Sequence, residues 1–321
     1  MGSRRYLLSK VLQAVVTLWF VLTFNFVLFH TLPGDPVATL ARSEKLAPED
    51  IERLQHELGL DRPLPLQYLI YLRETLTGNL GRSLSTTEEV KDMIGVRVLP
   101  TVLLVGLGTL IATYFGILIG IHGGWNRGSR FDTSSQYSSL ILYSMPEGWL
   151  GMLLLLVFSG WLHWFPAGGY TSAELTGVAR FVDVLDHLFL PLLTLTLGYI
   201  GGYAIVMRAA MIDTTHEDFV KTARSKGVPE RLIRKRHVVP NAFLPAFTLI
   251  FLSFGYVLGG AIVIESVYSW PGLGRLTYDA INTLDYPVIQ AVFLIASAAV
   301  ILANFAADLT YGYLDPRIKN A

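Results

Sequence analysis

Few residues in this chain are of a type and spacing that could do chemistry, and the most telling is a carboxylate. Glu147 follows Pro146 inside an apolar run that extends from Leu140 to Trp161. An acid at the centre of a membrane helix costs about 2.5–3.5 kcal/mol on insertion scales, so its presence asks for a reason. Two readings stand. Glu147 faces a translocation path and contacts a cationic or polar part of a solute, or it pairs with a neighbouring helix or subunit. Glu265 and Asp308 lie near the ends of apolar runs, where water is in reach. The remaining ionisable residues form no catalytic pattern. His122, His163 and His187 flank apolar segments, and no His-x-x-x-His or acid pair has metal-ligand spacing. No lysine follows a glycine, which excludes a Gly-Lys-Ser/Thr phosphate loop. The chain has no cysteine, which excludes disulfides and thiolate metal sites. No catalytic or metal-binding residue is assigned, and the expectation is a non-enzyme with no cofactor of its own.

Polar and basic residues concentrate between Asp213 and Pro245, flanked by two very apolar segments. Thr214-Thr215-His216-Glu217 fits a capping box, with the Thr214 side chain accepting from the Glu217 N–H. Arg224 and Lys226 suit the last turn of a helix, and Gly227 a left-handed stop. The spacing predicts one short helix over 215–226. Pro229 then opens a second helix, and Pro240 ends it. So short a helix is marginal alone in water, and its apolar residues Phe219, Val220 and Ala223 need a partner. They rest on the lipid interface, or they plug a groove on another protein as a charge-ringed anchor. Composition does not separate the two.

The elements that must carry these residues are membrane helices. Of 321 residues, 52% are hydrophobic and only 16% charged, with 17 Phe, 15 Tyr and 6 Trp. Mean hydropathy is +0.47. Soluble domains carry about 25% charged residues, so this is the composition of an integral membrane protein. Net charge is zero, which gives no sign of a nucleic-acid partner. A helix needs about 20 apolar residues to cross a bilayer. Six segments qualify: 12–29, 101–121, 140–161, 188–207, 244–264 and 288–309. The first is too long for a secretory h-region and lacks a cleavage site, so it reads as a retained span. Lys and Arg cluster at 4–10, 127–130, 208–236 and 317–319, whereas the two short intervening loops hold only Arg180 and Arg275. That asymmetry predicts both termini in the cytoplasm.

Three regions follow. Residues 1–32 are a tail and first span, 33–100 an extracytoplasmic loop domain, and 101–321 a five-helix core bearing the 213–245 loop. Within the loop domain one helix is expected from Pro48 to Gly59 and another from Pro65 to Leu76, ended by the turn Gly78-Asn79-Leu80-Gly81. The loop reads equally as a docking surface or as a cap over helix ends. Gly116/Gly120, Gly198/Gly202 and Gly255/Gly259 sit four apart, a spacing that lets helices approach closely. Trp161, Trp164 and Tyr170, and likewise Tyr268 and Trp270, read as an aromatic belt at the membrane surface.

The 213–245 stretch resembles the cytoplasmic EAA loop of type I ATP-binding-cassette importer permeases. Ala223, Gly227 and Pro240 keep its spacing, while Lys221, Thr222 and His237 depart from it. Those departures are similar to the oligopeptide/dipeptide/nickel branch, whose T-A-R-x-K-G and R-H-x-x-x-N-A-x-x-P appear here at 222–227 and 236–245. Further matches to that branch's B-type permease follow in order. They are T-L-P-G-D-P at 31–36, L-G-L-D at 58–61, G-N-L-G-R-S at 78–83, I-E-S-V-Y-S-W-P-G-L-G-R-L at 264–276, D-Y-P-V-I-Q at 285–290 and L-D-P-R-I at 314–318.

The resemblance implies an all-α, six-span permease in a prokaryotic plasma membrane. It would work by alternating access with a second homologous permease, two ATPase subunits that hold ATP and Mg, and an extracytoplasmic binding protein. Residues expected to couple to an ATPase are Glu217, Asp218, Phe219, Val220, Thr222, Ala223, Lys226, Gly227 and Pro240. Di- or oligopeptides are the expected cargo, although nickel chelates and other solutes share this permease type. The alternative is an ion-gradient-driven secondary transporter, whose usual inverted repeats and paired broken helices are not evident in the sequence.

Overall fold

Runs of Leu, Val, Ile and Phe free of charge cross a membrane only with their backbone hydrogen bonds closed internally, and helices result. A computed structural model of the protein describes residues 2–31, 62–172 and 175–314. Among these the regular elements are all helical, with one isolated bridge between Arg82 and Glu89. The helix expected over Pro48–Gly59 lies outside the described residues. Two compact units emerge, one from 1–101, 258–262 and 271–321, the other from 102–257 and 263–270.

In the first unit, α1 (Gly2–Thr31) packs on α13 (Tyr286–Leu314), tied by an ion pair of 2.9 Å between Lys10 and Asp308. Buried Asn25 donates to the Gln290 carbonyl at 3.2 Å and to the Tyr71 hydroxyl at 3.3 Å. Tyr71 and Tyr68 belong to α2 (Leu64–Leu76), which starts and ends about where expected. Tyr68 meets Thr23 of α1 at 2.6 Å. The turn after α2 follows, with Gly78 and Gly81 at φ of 80° and 79°. A core of Val90, Met93, Ile94, Leu273, Leu276 and Val288 joins α3 (Val90–Thr101) to α12 (Leu273–Thr283) and α13.

In the second unit a π-helical turn, Val102–Gly106, leads into α4 (Leu107–Trp125). Helix α5 (Arg130–Ser144) is capped by Ser129, which accepts from the Asp132 N–H at 3.1 Å. Then comes α6 (Glu147–Leu154), extended by π-helical Leu155–Trp161. The long helix α7 runs from Gly177 to Thr215 without interruption at buried Pro191. After it come α8 (Asp218–Ser225), α9 (Glu230–Ile233), a π turn at Arg234–Val238, α10 (Val239–Tyr256) and α11 (Ile262–Val267).

Several expectations need correction. The run 140–161 is two helices bent by 100°, because the residue before a proline is pushed out of the helical region and Met145 is extended (ψ 131°). The run 244–264 is not one helix either. A 3₁₀ turn at Val257–Gly259 and Gly260 at φ 72° interrupt it before α11. Four described helices are long and apolar enough to cross a membrane, or five if the bent pair counts as one span. Tyr268 and Trp270 are fully buried rather than interfacial, whereas Trp161 and Trp164 are exposed. Glu265 has no exposure, contrary to the water access expected for it.

Glycine sets the closest helix approach. On α4 a methyl at Gly116, Gly120 or Gly124 would lie 2.6 Å from the Cβ of Tyr203, Met207 or Met211 of α7. The expected Gly116/Gly120 pair therefore packs as read, with Gly124 continuing it. Of the other pairs, Gly259 meets only Ala296, at 3.8 Å, and on α7 it is Gly201 that lies closest to its neighbour, against the Ser139 carbonyl. Gly120→Val should destabilise the protein by about 1–3 kcal/mol by forcing α4 from α7. A fall in the thermal unfolding midpoint in detergent would report it, with exposed Gly128→Ala, strained at φ 82°, as a milder comparison.

Candidate functional site

Helix α8 forms because two residues, His216 and Glu217, let the chain leave α7 and turn. Glu217 is extended (ψ 147°) and offers no side-chain cap. The expected capping box is absent. Helix α7 continues to Thr215, so the Thr214 hydroxyl sits inside its last turn and donates to the Ala210 carbonyl at 2.7 Å. The short helix accordingly begins at Asp218 and not at residue 215. Its end matches expectation. Gly227 has φ 72°, its N–H reaches the Arg224 carbonyl at 2.9 Å, and the Val228 N–H reaches Ala223 at 3.2 Å. Those two bonds make a Schellman stop.

The two faces of α8 differ sharply. Val220 (0% exposed) and Ala223 join Met207, Met211, Ile233 and Val238 in one core. Val220 is thus spent within the chain and does not form an anchor together with Phe219. On the adjoining face Phe219, Thr222 and Lys226 are exposed at i, i+3 and i+7 spacing, Phe219 by 41%. Glu217 and Asp218 are exposed beside them. Lys221 meets Asp218 at 2.8 Å, and its ammonium holds the Asp218 carboxyl below the usual carboxylate range. Arg224 meets Glu230 at 2.8 Å, fastening α8 to α9. Exposed pairs of this kind contribute little to stability, so the buried core fixes the helix.

Pro240 does not end a helix. It lies in the first turn of α10, just after the π turn at Arg234–Val238. The altered hydrogen-bond register there absorbs its missing N–H.

A residue pair that sequence reasoning missed ties this region to the membrane helices. Arg208 on α7 grips Asp132 of α5, Nε to Oδ1 at 2.5 Å and Nη2 to Oδ2 at 3.0 Å. Asp132 is buried and also accepts from the Gly128 N–H at 2.9 Å. Such a bidentate bond fixes orientation as well as distance. Arg208 stands one turn before Met211, which packs with Val220. The only hint in the sequence was Ser129-x-x-Asp132 at a helix start. Glu147 heads α6, half-buried, against Gly198 of α7.

Residues 91–320 match the model of the binding-protein-dependent transport system inner membrane component. The chain belongs to that family. Residues 3–105 match the N-terminal region of such membrane components. A protein of Brucella suis biovar 1 named as a peptide permease is 41% identical over 319 residues, covering 98% of this chain and 99% of its own length. The glutathione transport system permease protein of Pectobacterium atrosepticum is 38% identical, covering 98% of each. The di/tripeptide transport system permease protein of Pseudomonas aeruginosa is 36% identical, covering 95% and 96%. The protein is therefore a multi-pass inner-membrane permease subunit of an ATP-binding-cassette importer, working with ATPase and substrate-binding proteins. The ion-gradient alternative loses its support.

The two faces of α8 make opposite predictions. Val220→Asp places a charge in a closed apolar core and should cost more than about 4 kcal/mol locally. Limited proteolysis should then cut between residues 213 and 245. Phe219→Asp should leave that segment as resistant as in the wild type.

Proposed function

We propose that this permease carries di- or oligopeptides inward by alternating access, and that α8 is the helix through which a separate ATPase moves it. The peptide cargo is taken from the names of the relatives. The orientation follows from the distribution of Lys and Arg, which puts both termini and the 213–245 loop in the cytoplasm. The bent pair α5–α6 and the interrupted segment of α10 and α11 each contribute one crossing, which restores a count of six. A second homologous permease completes the path. ATP and Mg are bound by the partner ATPases, and this chain supplies no catalytic residue.

The observation that carries the coupling role is the division of α8. One face is closed on the chain's own core, and the other offers Phe219 among charges, uncovered by any of the described residues. Glu217, Asp218, Phe219, Thr222 and Lys226 are the contact residues. Val220, Ala223, Gly227 and Pro240 shape and hold the helix that presents them. A push on α8 enters the long helix α7 through the Met207–Val220 core and reaches α5 through Arg208 and Asp132. The ATPase states must differ in their contact with α8 for this to shift the permease between conformations.

Phe219→Asp should leave the protein inserted. ATP-driven peptide uptake by the reconstituted complex should drop by about tenfold or more, the loss expected when an interface anchor worth at least 1.4 kcal/mol is removed. ATP hydrolysis should no longer rise with peptide-loaded binding protein. Normal uptake and normal stimulation in this variant would refute the coupling role.

A further inference from the structure

Glu147 is the first residue of α6, directly after the break at which the paired helices turn by 100°. Its side chain is half-buried, and among the described residues no hydrogen bond or ion pair reaches its carboxylate. It faces α7 at Gly198, where an added Cβ would lie 3.5 Å from Glu147 Cγ and meet no other residue within 4 Å. The wall opposite the acid is thus bare backbone. Gly148 beside it is seated against Val263, and Gly151 one turn on against Tyr268, whose hydroxyl donates to the Gly151 carbonyl at 2.9 Å. Those contacts hold α6, and with it the position of Glu147.

Three other acids near the apolar segments are paired within the chain. Asp132 has Arg208, Asp308 has Lys10, and Asp285 has the donors of Ser83 to Ser85. Among the described residues Glu147 differs from these three in making no hydrogen bond or ion pair, while standing at a backbone break. Irregular backbone at membrane depth is tolerated where it is buried in protein or lines a water-filled cavity, and an ionisable group there marks a pathway or a pair. A carboxylate is an acceptor, so its complement is a cation with several donors, and the ammonium group is the one that every unblocked peptide carries.

The geometry points to Glu147 as a substrate contact that receives the ammonium group of a transported peptide, at its amino terminus or on a lysine side chain. This rests on the peptide reading above. The bare wall at Gly198 leaves room beside the carboxylate, which a larger residue there would take up.

The test is equilibrium dialysis of labelled tripeptides against the detergent-solubilised permease–ATPase complex, without binding protein. Four peptides are compared: one with a free amino terminus, its N,N-dimethyl form, its N-acetyl form, and an N-acetyl form carrying lysine. The wild type should hold the free and dimethylated peptides, or the lysine peptide, about tenfold or more tighter than the uncharged N-acetyl peptide. Which of these is favoured identifies the source of the ammonium. Glu147→Gln should bring all four to the N-acetyl level, and Glu147→Asp should keep part of the preference. Equal binding of all four by the wild type would overturn the assignment. So would a preference that survives Glu147→Gln, or loss of the partner subunits from that variant, which would make the acid a subunit contact. Failure of the wild type to bind any of the peptides would sink the peptide reading first, and the assignment with it.

Discussion

A polypeptide inside a bilayer has no water to complete its hydrogen bonds, and this constraint governs nearly every feature of the protein. Straight helices satisfy it without help. The departures are where the chain needs a turn, a break or a wider coil, and side-chain hydroxyls stand close to several of them. The Thr194 hydroxyl donates to the Leu190 carbonyl beside Pro191. Buried Tyr268 places its hydroxyl on the carbonyl of Gly151 and 2.9 Å from Thr194. The Leu273 N–H, at the start of α12, donates to the Thr101 hydroxyl at 2.7 Å. The π turns at 102–106 and 234–238 let one helix pass into the next, and the one at 155–161 extends α6.

Glycine makes the same architecture tight on one side. The contact of α4 with α7 is set by backbone meeting backbone, with carbonyls of Ile200, Ala204 and Arg208 under 3 Å from where a methyl would stand. Such a contact resists separation but offers no chemistry. The chemistry is at its edges, in the Arg208–Asp132 clamp at one place and Glu147 at another. Helix α7 carries or faces both, so a single rigid rod of 39 residues links the region of α8 to the acid at the helix break.

Much of this was legible in the chain itself. Apolar run length gave the helical class and most of the long helices. Gly227 after Arg224 and Lys226 located the end of α8 to the residue, because a left-handed stop has so few alternatives. The misreadings share a cause. Thr214 looked like a cap because local spacing cannot reveal that the preceding helix runs on to residue 215. Pro240 looked like a stop because a π turn has no sequence signature. Tyr268 and Trp270 looked interfacial because composition cannot distinguish an aromatic ring at a headgroup from one buried on Gly151 or Tyr170. The clamp between residues 132 and 208 was invisible, since nothing local pairs groups 76 positions apart.

The carboxylate of Asp285 has a consequence for biosynthesis. It accepts from the Ser83 hydroxyl at 2.5 Å, the Leu84 N–H at 3.1 Å and the Ser85 hydroxyl at 2.8 Å, across some 200 residues of chain. The unit that contains it is built from both ends of the sequence, with the other unit encoded between. On the ribosome, the hydroxyls near residue 84 therefore emerge long before their acceptor and must wait while the intervening helices are threaded into the bilayer. The last-made segment closes the first-made one, so a translation product truncated shortly before residue 285 would contain the middle unit complete and leave the outer one open.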